Sequence, residues 1–502
     1  MTTREATVSR LDARAPGAPD APGAPDAPGV LDAPGAPDAL GAPGASSAHS
    51  AGPTPRTYHV RTLGCQMNVH DSEHMAGLLE ASGYRRVEDV PEAAARDAGA
   101  GDGGADVVII NTCSVRENAV TRLFGNLGRL AAVKRERPGM QIAVAGCLAQ
   151  QMGRGIIERA PWVDVVFGTH NIDVLPALLA RARHNAEAAV ELEESLKVFP
   201  STLPTRRESA YAAWVSIAVG CNNTCTFCIV PSLRGRQRDR RPGEVLAEIE
   251  AVAADGVTEI TLLGQNVNSY GKDHKLASFA ELLLMVDAVK GVERVRYMTS
   301  HPKDLSDAVI DAVRQGRHIC PHFHLPVQHG SDRILRAMNR VYRKDAYRSL
   351  VERIRAAVPD AGLTTDLIVG FPGETEEDFG ELLDFLREIR YDAAYTFLYS
   401  KRSGTPAATM EAQVEDSVKK ERLHRLMEVQ NEISLEKNAA LKGTVQEVLA
   451  EGPSRTDEDV WTGRTGTNKI VLWRKKGQET EGDIVRVRIT QPQTWVLKGE
   501  LQ

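Results

Sequence analysis

The sequence predicts an α/β protein with three folded parts: a doubly wound parallel-sheet domain, a partial barrel of six strand–helix units, and a small antiparallel β-barrel. Three observations predict this. From Tyr58 short β-type runs alternate with helical ones, the rhythm of parallel strands joined by crossover helices. After a loose stretch near residue 200 the alternation restarts and repeats six times, as in a shortened relative of the eight-fold barrel. After Gly443 strands follow one another with glycine turns and no helix between them.

Composition sets the limits. With 502 residues, 42% hydrophobic and 25% charged, the chain can build several ordinary globular cores. A net charge of −6 excludes a surface that is basic all over, so any nucleic-acid contact must be a local patch. Seven cysteines are few and odd in number, which fits a reducing cytoplasm better than a disulfide scaffold. No run of about 18 apolar residues is present, so no membrane association is expected, and a cytoplasmic monomer is the working expectation.

The elements follow in order. Residues 1–55 repeat "APGAPDAPGAPDAPG", which has too little apolar side chain to offset the entropy of ordering, and a disordered tail is predicted. The amino-terminal domain covers 56–185. Its strands are "YHVRTL", "ADVVIINT", "QIAVAG" and "VDVVFGT", with helices near 69–82, 115–135 and 149–159. A linker is read over 186–206. The barrel takes 207–438, with strands at "AWVSIAVG", "EITLLG", "RVRYMTS", "CPHFHLPV", "GLTTDLIVG" and "DAAYTFLYS", and a charged helix near 415–441. The last barrel, 439–502, draws on "TVQEVLAEG", "KIVLW", "GDIVRVRIT" and "TWVLKGEL", a type that often binds oligonucleotides.

Cysteine placement carries the chemistry. Cys65, Cys113 and Cys147 each follow a strand of the first domain, and the carboxyl ends of parallel strands share one rim where ligands collect. Recurrence at that position favours a shared ligand over three independent core thiols. Cys221, Cys225 and Cys228 lie within "CNNTCTFC", directly after the first barrel strand. Structural zinc would want a fourth Cys or His, and none is near. An iron–sulphur cubane on a tight loop fits better, and three thiolates leave one iron open for a substrate or cofactor. Cys320 stands alone and reads as a core thiol.

The C-x3-C-x2-C spacing, with the aromatic Phe227 before its last cysteine, resembles the radical S-adenosylmethionine superfamily. Together with "LGCQMNVHDSE", "NTCSVREN", "GCLAQ", "LLGQNVNSYG", "TSHP", "HLPVQHGS" and "DLIVGFPGETEEDF", it resembles the methylthiotransferases, nearest to those that act on dimethylallyladenosine in tRNA. The likeness runs from about residue 56 to the end. It implies a partial barrel of radical S-adenosylmethionine type and two [4Fe-4S] clusters, the second on Cys65, Cys113 and Cys147. It also implies an RNA-binding TRAM domain at the end of the chain. One S-adenosylmethionine would be the radical source and another the methyl donor, since no ordinary acid or base removes the aromatic hydrogen at carbon 2 of adenine. An electron donor such as flavodoxin or ferredoxin and a sulphur source would be further partners.

Candidate cofactor contacts, at strand ends of the barrel, are Phe227, Gly264, Gln265, Asn266, Ser300, Gln328, Arg340, Gly370 and Glu374; taken singly they are ordinary strand-to-helix turns. Candidate RNA contacts are Arg234, Arg236, Arg238, Arg240 and Arg241, whose alternative is a solvated face, and Trp473, Arg474, Lys475 and Lys476, an aromatic beside three cations. The chain departs from the family at "DRRP", around Arg240, and at His329, where serines are usual, which bears on the fine shape of the substrate pocket. Other readings stay open: a methylthiotransferase acting on another tRNA adenosine derivative or on a ribosomal-protein aspartate, and a non-catalytic iron–sulphur protein that binds RNA.

Overall fold

A computed structural model describes residues 55–87, 104–114, 119–193, 203–272 and 277–502. The repetitive tail up to residue 54, the "VREN" of one motif and residues 194–202 of the expected linker lie outside them.

Six parallel strands form the first domain: β1 (Thr57–Leu63), β2 (Arg85–Arg86), β3 (Val107–Thr112), β4 (Gln141–Ala145), β5 (Val165–Phe167) and β6 (Ala189–Glu191), in the order β2-β1-β3-β4-β5-β6. β3 and β4 are buried at every residue, because "VVIINT" and "QIAVA" put apolar side chains on both faces. Val107 and Ile109 pack with Met75 and Leu79 on one face, Val108 and Ile110 with Leu123 and Leu127 on the other. The winding reverses between β1 and β3, which opens a crevice at their carboxyl ends. Cys65 and Cys113 stand at those two ends and Cys147 at the end of β4. Helix α1 (Gln66–Ala81) starts on Cys65, α2 covers Ala119–Glu136, and the helix expected at 149–159 is two pieces, α3 (Cys147–Met152) and α4 (Gly155–Arg159). The break falls at Gly153, whose φ of 52° ends a helix. β6 corrects the linker boundary. The sheet runs to Glu191, and "AVE" is too short and too rich in alanine to read as a strand.

The second part holds six parallel strands, β7 (Ala212–Ser216), β10 (Glu259–Leu263), β11 (Arg294–Tyr297), β12 (His322–His324), β13 (Gly362–Val369) and β14 (Ala393–Leu398), and a small hairpin of β8 (Ala218–Val219) with β9 (Arg238–Asp239). They form two three-stranded sheets, β11-β10-β7 and β12-β13-β14, joined by a bridge between Val295 and Ile319. Alternate residues such as Val295, Tyr297, Leu363 and Leu367 face the surrounding helices in one continuous core, and the others face the interior.

The last part is a closed barrel of five strands, β15 (Val445–Pro453), β16 (Val460–Thr465), β17 (Ile470–Arg474), β18 (Ile484–Pro492) and β19 (Leu497–Leu501). β16 is an addition to the expected strands, since "VWTGRT" carries a glycine at its centre. Gly463 is required there because a Cβ would stand 2.2 Å from Leu449 O. One pair, β17 with β19, is parallel within the otherwise antiparallel barrel. This barrel sits under the strand starts of the second part. Arg294 donates to the carbonyls of Arg464 (2.6 Å) and Glu447 (3.1 Å), and Arg296 to that of Thr465 (2.9 Å).

Candidate iron–sulphur and RNA site

The loop of Cys221, Cys225 and Cys228 hangs between β8 and a short helix, α5 (Val230–Arg234). Gly220 opens it with φ 80°, and a Cβ there would lie 2.3 Å from Arg236 O, so only glycine lets the two limbs meet. The middle of the loop is tied down from two directions, by Thr226 N donating to Met338 O (3.1 Å) and Ala407 N donating to Thr226 O (3.0 Å). Phe227 packs on the cluster of Ile334, Met338 and Phe371. All three thiols are half-buried. Burial pushes Cys221 up and Cys228 up to about 12, so both favour the protonated form until something cationic compensates them. Arg340 is one such group: buried, it donates from Nη1 to Cys225 Sγ at 3.5 Å and from Nη2 to Pro326 O at 2.5 Å.

The amino-terminal trio comes together from three strand ends. The Cys113 thiol hydrogen-bonds Cys65, which lowers the Cys65 pKa to about 6 against the opposing effect of burial. Burial raises Cys147, with Arg234 beside it pulling the other way. Arg234 reaches this trio from the second part of the chain. Its guanidinium pairs with Asp71 Oδ2 at 2.7 Å, both side chains being almost fully buried. Cys147 also packs on Ile229 and Leu233, the residues that follow Cys228. Thr169 Oγ1 seals the same seam by donating to Leu233 O (3.1 Å).

Both trios suit an anionic metal–sulphur group. Each has a buried guanidinium at one sulphur. Around Cys113, Thr112 Oγ1 and Ser114 Oγ are buried without a partner among the described residues, two hydroxyl donors free to meet sulphide. Gly146, with φ 91°, brings the backbone before Cys147 so close to Asn111 that a Cβ would lie 2.3 Å from its Oδ1. Among the described residues no three His, Cys, Asp or Glu side chains converge as ligands of one ion. A cubane does not ask for that, because each thiolate takes a different iron.

Several expected contacts fall elsewhere. Glu374 is sealed from the interior: its Oε2 accepts from Gly370 N (2.8 Å) and Phe371 N (3.2 Å), and its Oε1 from Arg422 Nη1 (2.8 Å). It therefore shapes the turn at Gly370, where φ is 74°, and has no face for a cofactor. Asn266 is likewise committed, accepting from His301 N (3.0 Å) and donating to Asp304 Oδ2 (2.6 Å). Gln265 is half-buried, and Gly264, Ser300 and Gln328 are buried at strand ends on the same rim. Gln328 holds φ 73°, a strained conformation for a non-glycine, fixed by its backbone bonds to Asp366 and Ile368. His329, the departure from the family, is buried 3.3 Å from Glu374 and accepts from Ser331 N, so it lies behind the turn.

The arginine run divides by side. Arg236, Arg238 and Arg241 are exposed. Arg234 and Arg240 are not, which removes both as phosphate contacts: Arg234 serves Asp71, and Arg240 donates to Glu248 Oε2 (2.6 Å) and Ser216 O (2.8 Å). In the last barrel Arg474, Lys475 and Lys476 are exposed, but Trp473 is buried with Val471 and Trp461 and cannot stack on a base. The aromatic that is available is Trp495, 68% exposed between β18 and β19. Sequence reasoning misses it, although its place in "PQTW", at a turn between two strands, is the signal. It also misses Asp71, hidden among the polar residues of α1.

Comparison with known proteins gives three family matches: "Radical SAM superfamily" over residues 215–386, "Uncharacterized protein family UPF0004" over 57–168 and "TRAM domain" over 439–502. Among relatives, a protein of Streptomyces viridosporus is 56% identical over 448 residues, 88% of this chain and 86% of its own length. One of Acidothermus cellulolyticus is 56% identical over 449 residues, 88% of each chain. One of Streptomyces coelicolor is 57% identical over 448 residues, 88% of this chain and 86% of its own. All three bear the name tRNA-2-methylthio-N(6)-dimethylallyladenosine synthase.

Proposed function

The chain belongs to the family of tRNA-2-methylthio-N(6)-dimethylallyladenosine synthases, radical S-adenosylmethionine enzymes, and on that premise we propose that it replaces the hydrogen on carbon 2 of dimethylallyladenosine, next to the anticodon of tRNA, with a methylthio group. When bound, two [4Fe-4S] clusters would supply the one-electron chemistry, one cleaving a first S-adenosylmethionine and one carrying the sulphur that a second has methylated. Cys221, Cys225 and Cys228 would hold the former, and Cys65, Cys113 and Cys147 the latter.

The observation that carries this reading is the seam between the trios. Cys147 packs on Ile229 and Leu233 while Arg234 crosses to Asp71, so the segment that follows Cys228 is docked on the strand ends that carry the amino-terminal trio. The protein's own groups orient and insulate there. Arg340 and Arg234 compensate negative charge at Cys225 and Cys147, and the apolar side chains of Ile229 and Leu233 keep water out of the seam. Exposed Arg236, Arg238 and Arg241 supply phosphate contacts near the mouth, with Arg474, Lys475 and Lys476 on the last barrel. A flavodoxin- or ferredoxin-like electron donor and a separate source of sulphur complete the system.

The test is nucleoside analysis of tRNA from a deletion strain. The methylthio form of dimethylallyladenosine should disappear, the unthiolated form should accumulate, and the intact gene should reverse both. Unchanged nucleosides in the deletion strain would overturn the proposal.

A further inference from the structure

Along β13 and β14 the side chains alternate between two surroundings. Leu363, Leu367 and Val369 belong to the helix-side core, and Ala394 and Leu398 pack against it. Thr364, Asp366 and Ile368, with Tyr395 and Phe397, therefore face the interior. Most interior groups here are partnered: His322 Nε2 and His324 Nδ1 both lie 2.9 Å from Thr364 Oγ1. Tyr395 and Phe397 differ. They are 53% and 48% exposed, two large rings side by side on one face of a strand. Tyr395 meets the His324 ring edge-on, with centroids 5.8 Å apart.

Register fixes their neighbours. Tyr395 is paired with Asp366 and Phe397 with Ile368. Ile368 in turn packs with Phe227 in one apolar cluster, so the rings stand one strand away from the wall that supports the cysteine loop. Asp366 keeps about a quarter of its side chain open, 3.4 Å from His324 Nε2. A carboxylate is a poor companion for RNA phosphates. It is a good acceptor for an amino group on a base edge, where it adds specificity instead of bulk affinity.

These features match one substituent. Alkylation of the exocyclic nitrogen of adenine with a dimethylallyl group leaves a single N–H and adds a branched five-carbon hydrocarbon. Its complement must offer one acceptor beside an apolar surface. We propose that Tyr395, Phe397 and Asp366 recognise this alkylated nitrogen, the two rings covering the hydrocarbon and the carboxylate accepting the remaining N–H. The proposal rests on the substrate reading above and makes this wall the element that tells alkylated from plain adenosine. A base turned out of its stack onto aromatic rings is the usual way such edges are read.

The test uses the reconstituted full-length protein and a fluorescently labelled anticodon stem-loop RNA in two versions, with dimethylallyladenosine or adenosine at the same position. Fluorescence anisotropy gives the ratio of the two affinities, which a general loss of folding lowers on both sides alike. A single methylene in an apolar pocket discriminates by roughly 10–200-fold, so the wild type should prefer the alkylated RNA by at least about 10-fold. Tyr395→Ala with Phe397→Ala should bring the ratio to within about 2-fold of unity. Phe397→Leu, which keeps an apolar contact, should retain part of the preference, and Asp366→Asn should lower it.

A double variant with the wild-type ratio, or a wild type with no preference, would overturn the inference. The two readings fail separately. If the wild type prefers the alkylated RNA in the manner described yet forms no methylthio product on it, the proposed function falls and the recognition wall stands. If product forms while the variants keep the full ratio, the wall falls alone, and the rings cover another part of this chain or a protein partner.

Discussion

Replacing Arg234 with Met should damage the amino-terminal site without touching one of its cysteines. The guanidinium and the Asp71 carboxylate are 2.7 Å apart with side-chain exposures of 4% and 2%, so water screens neither charge. Removing one partner of such a pair leaves an uncompensated buried charge and costs about 3–5 kcal/mol. Removing both, as in Arg234→Met with Asp71→Asn, leaves no orphan charge and should recover much of that loss. Calorimetry of the anaerobically reconstituted protein gives the two single variants and the double, and a coupling of at least about 1 kcal/mol is expected for groups that touch directly. Iron content is the second readout. Because Arg234 also stands beside Cys147, Arg234→Met should lose iron from the amino-terminal trio, while Arg234→Lys, which keeps a charge, should lose less. Additive effects of the two substitutions, with full iron retained in Arg234→Met, would refute the reasoning.

Three further outcomes are expected. Cys225→Ala should abolish reductive cleavage of S-adenosylmethionine, whereas Cys113→Ala should still cleave it but form no methylthio product, each variant carrying roughly four fewer iron atoms than wild type; full iron and product in Cys113→Ala would count against the second cluster. Substituting Arg236 and Arg238 together with Ala should weaken tRNA binding and flatten its salt dependence, by roughly 0.7–0.9 in log affinity per log salt for each phosphate no longer neutralised; an unchanged slope would assign them to a solvated face. Glu73, whose pKa burial pushes up to about 7, keeps its proton in the folded state over a range where the unfolded chain has lost it, so it lowers stability as pH rises from about 4.5 to about 7. That difference amounts to at most about 3 kcal/mol. Glu73→Gln should therefore melt higher than wild type at pH 8, with the gain gone below about pH 4.5; a gain independent of pH would contradict this origin.

Each trio is legible as a group from its own signal, the tight spacing of one and the strand-end recurrence of the other, and the structure brings the second together. The arginine run was legible as charge but not as direction. In "RGRQRDRR" nothing local tells which guanidiniums turn inward, and the partners that draw Arg234 and Arg240 in, Asp71 and Glu248, belong to other elements. Trp473 is a different case. In "IVLWR" it shares a face with Val471, so strand alternation alone placed it in the core, and the adjacent cations obscured that. Glu374 looked like a ligand because its motif ends a strand. Its actual partners, two backbone amides and Arg422 from a helix 48 residues further on, depend on tertiary packing that no local pattern encodes.

The last barrel has a consequence for how the chain can be dissected. Arg294 and Arg296, at the strand starts of the central part, satisfy their donors on carbonyls of Glu447, Arg464 and Thr465. The RNA module is thus also the stopper in the floor of the catalytic barrel. A chain cut before residue 439 would uncork two guanidiniums and admit solvent from beneath, so lost activity in such a truncate would report a flooded reaction chamber as much as a missing grip on RNA.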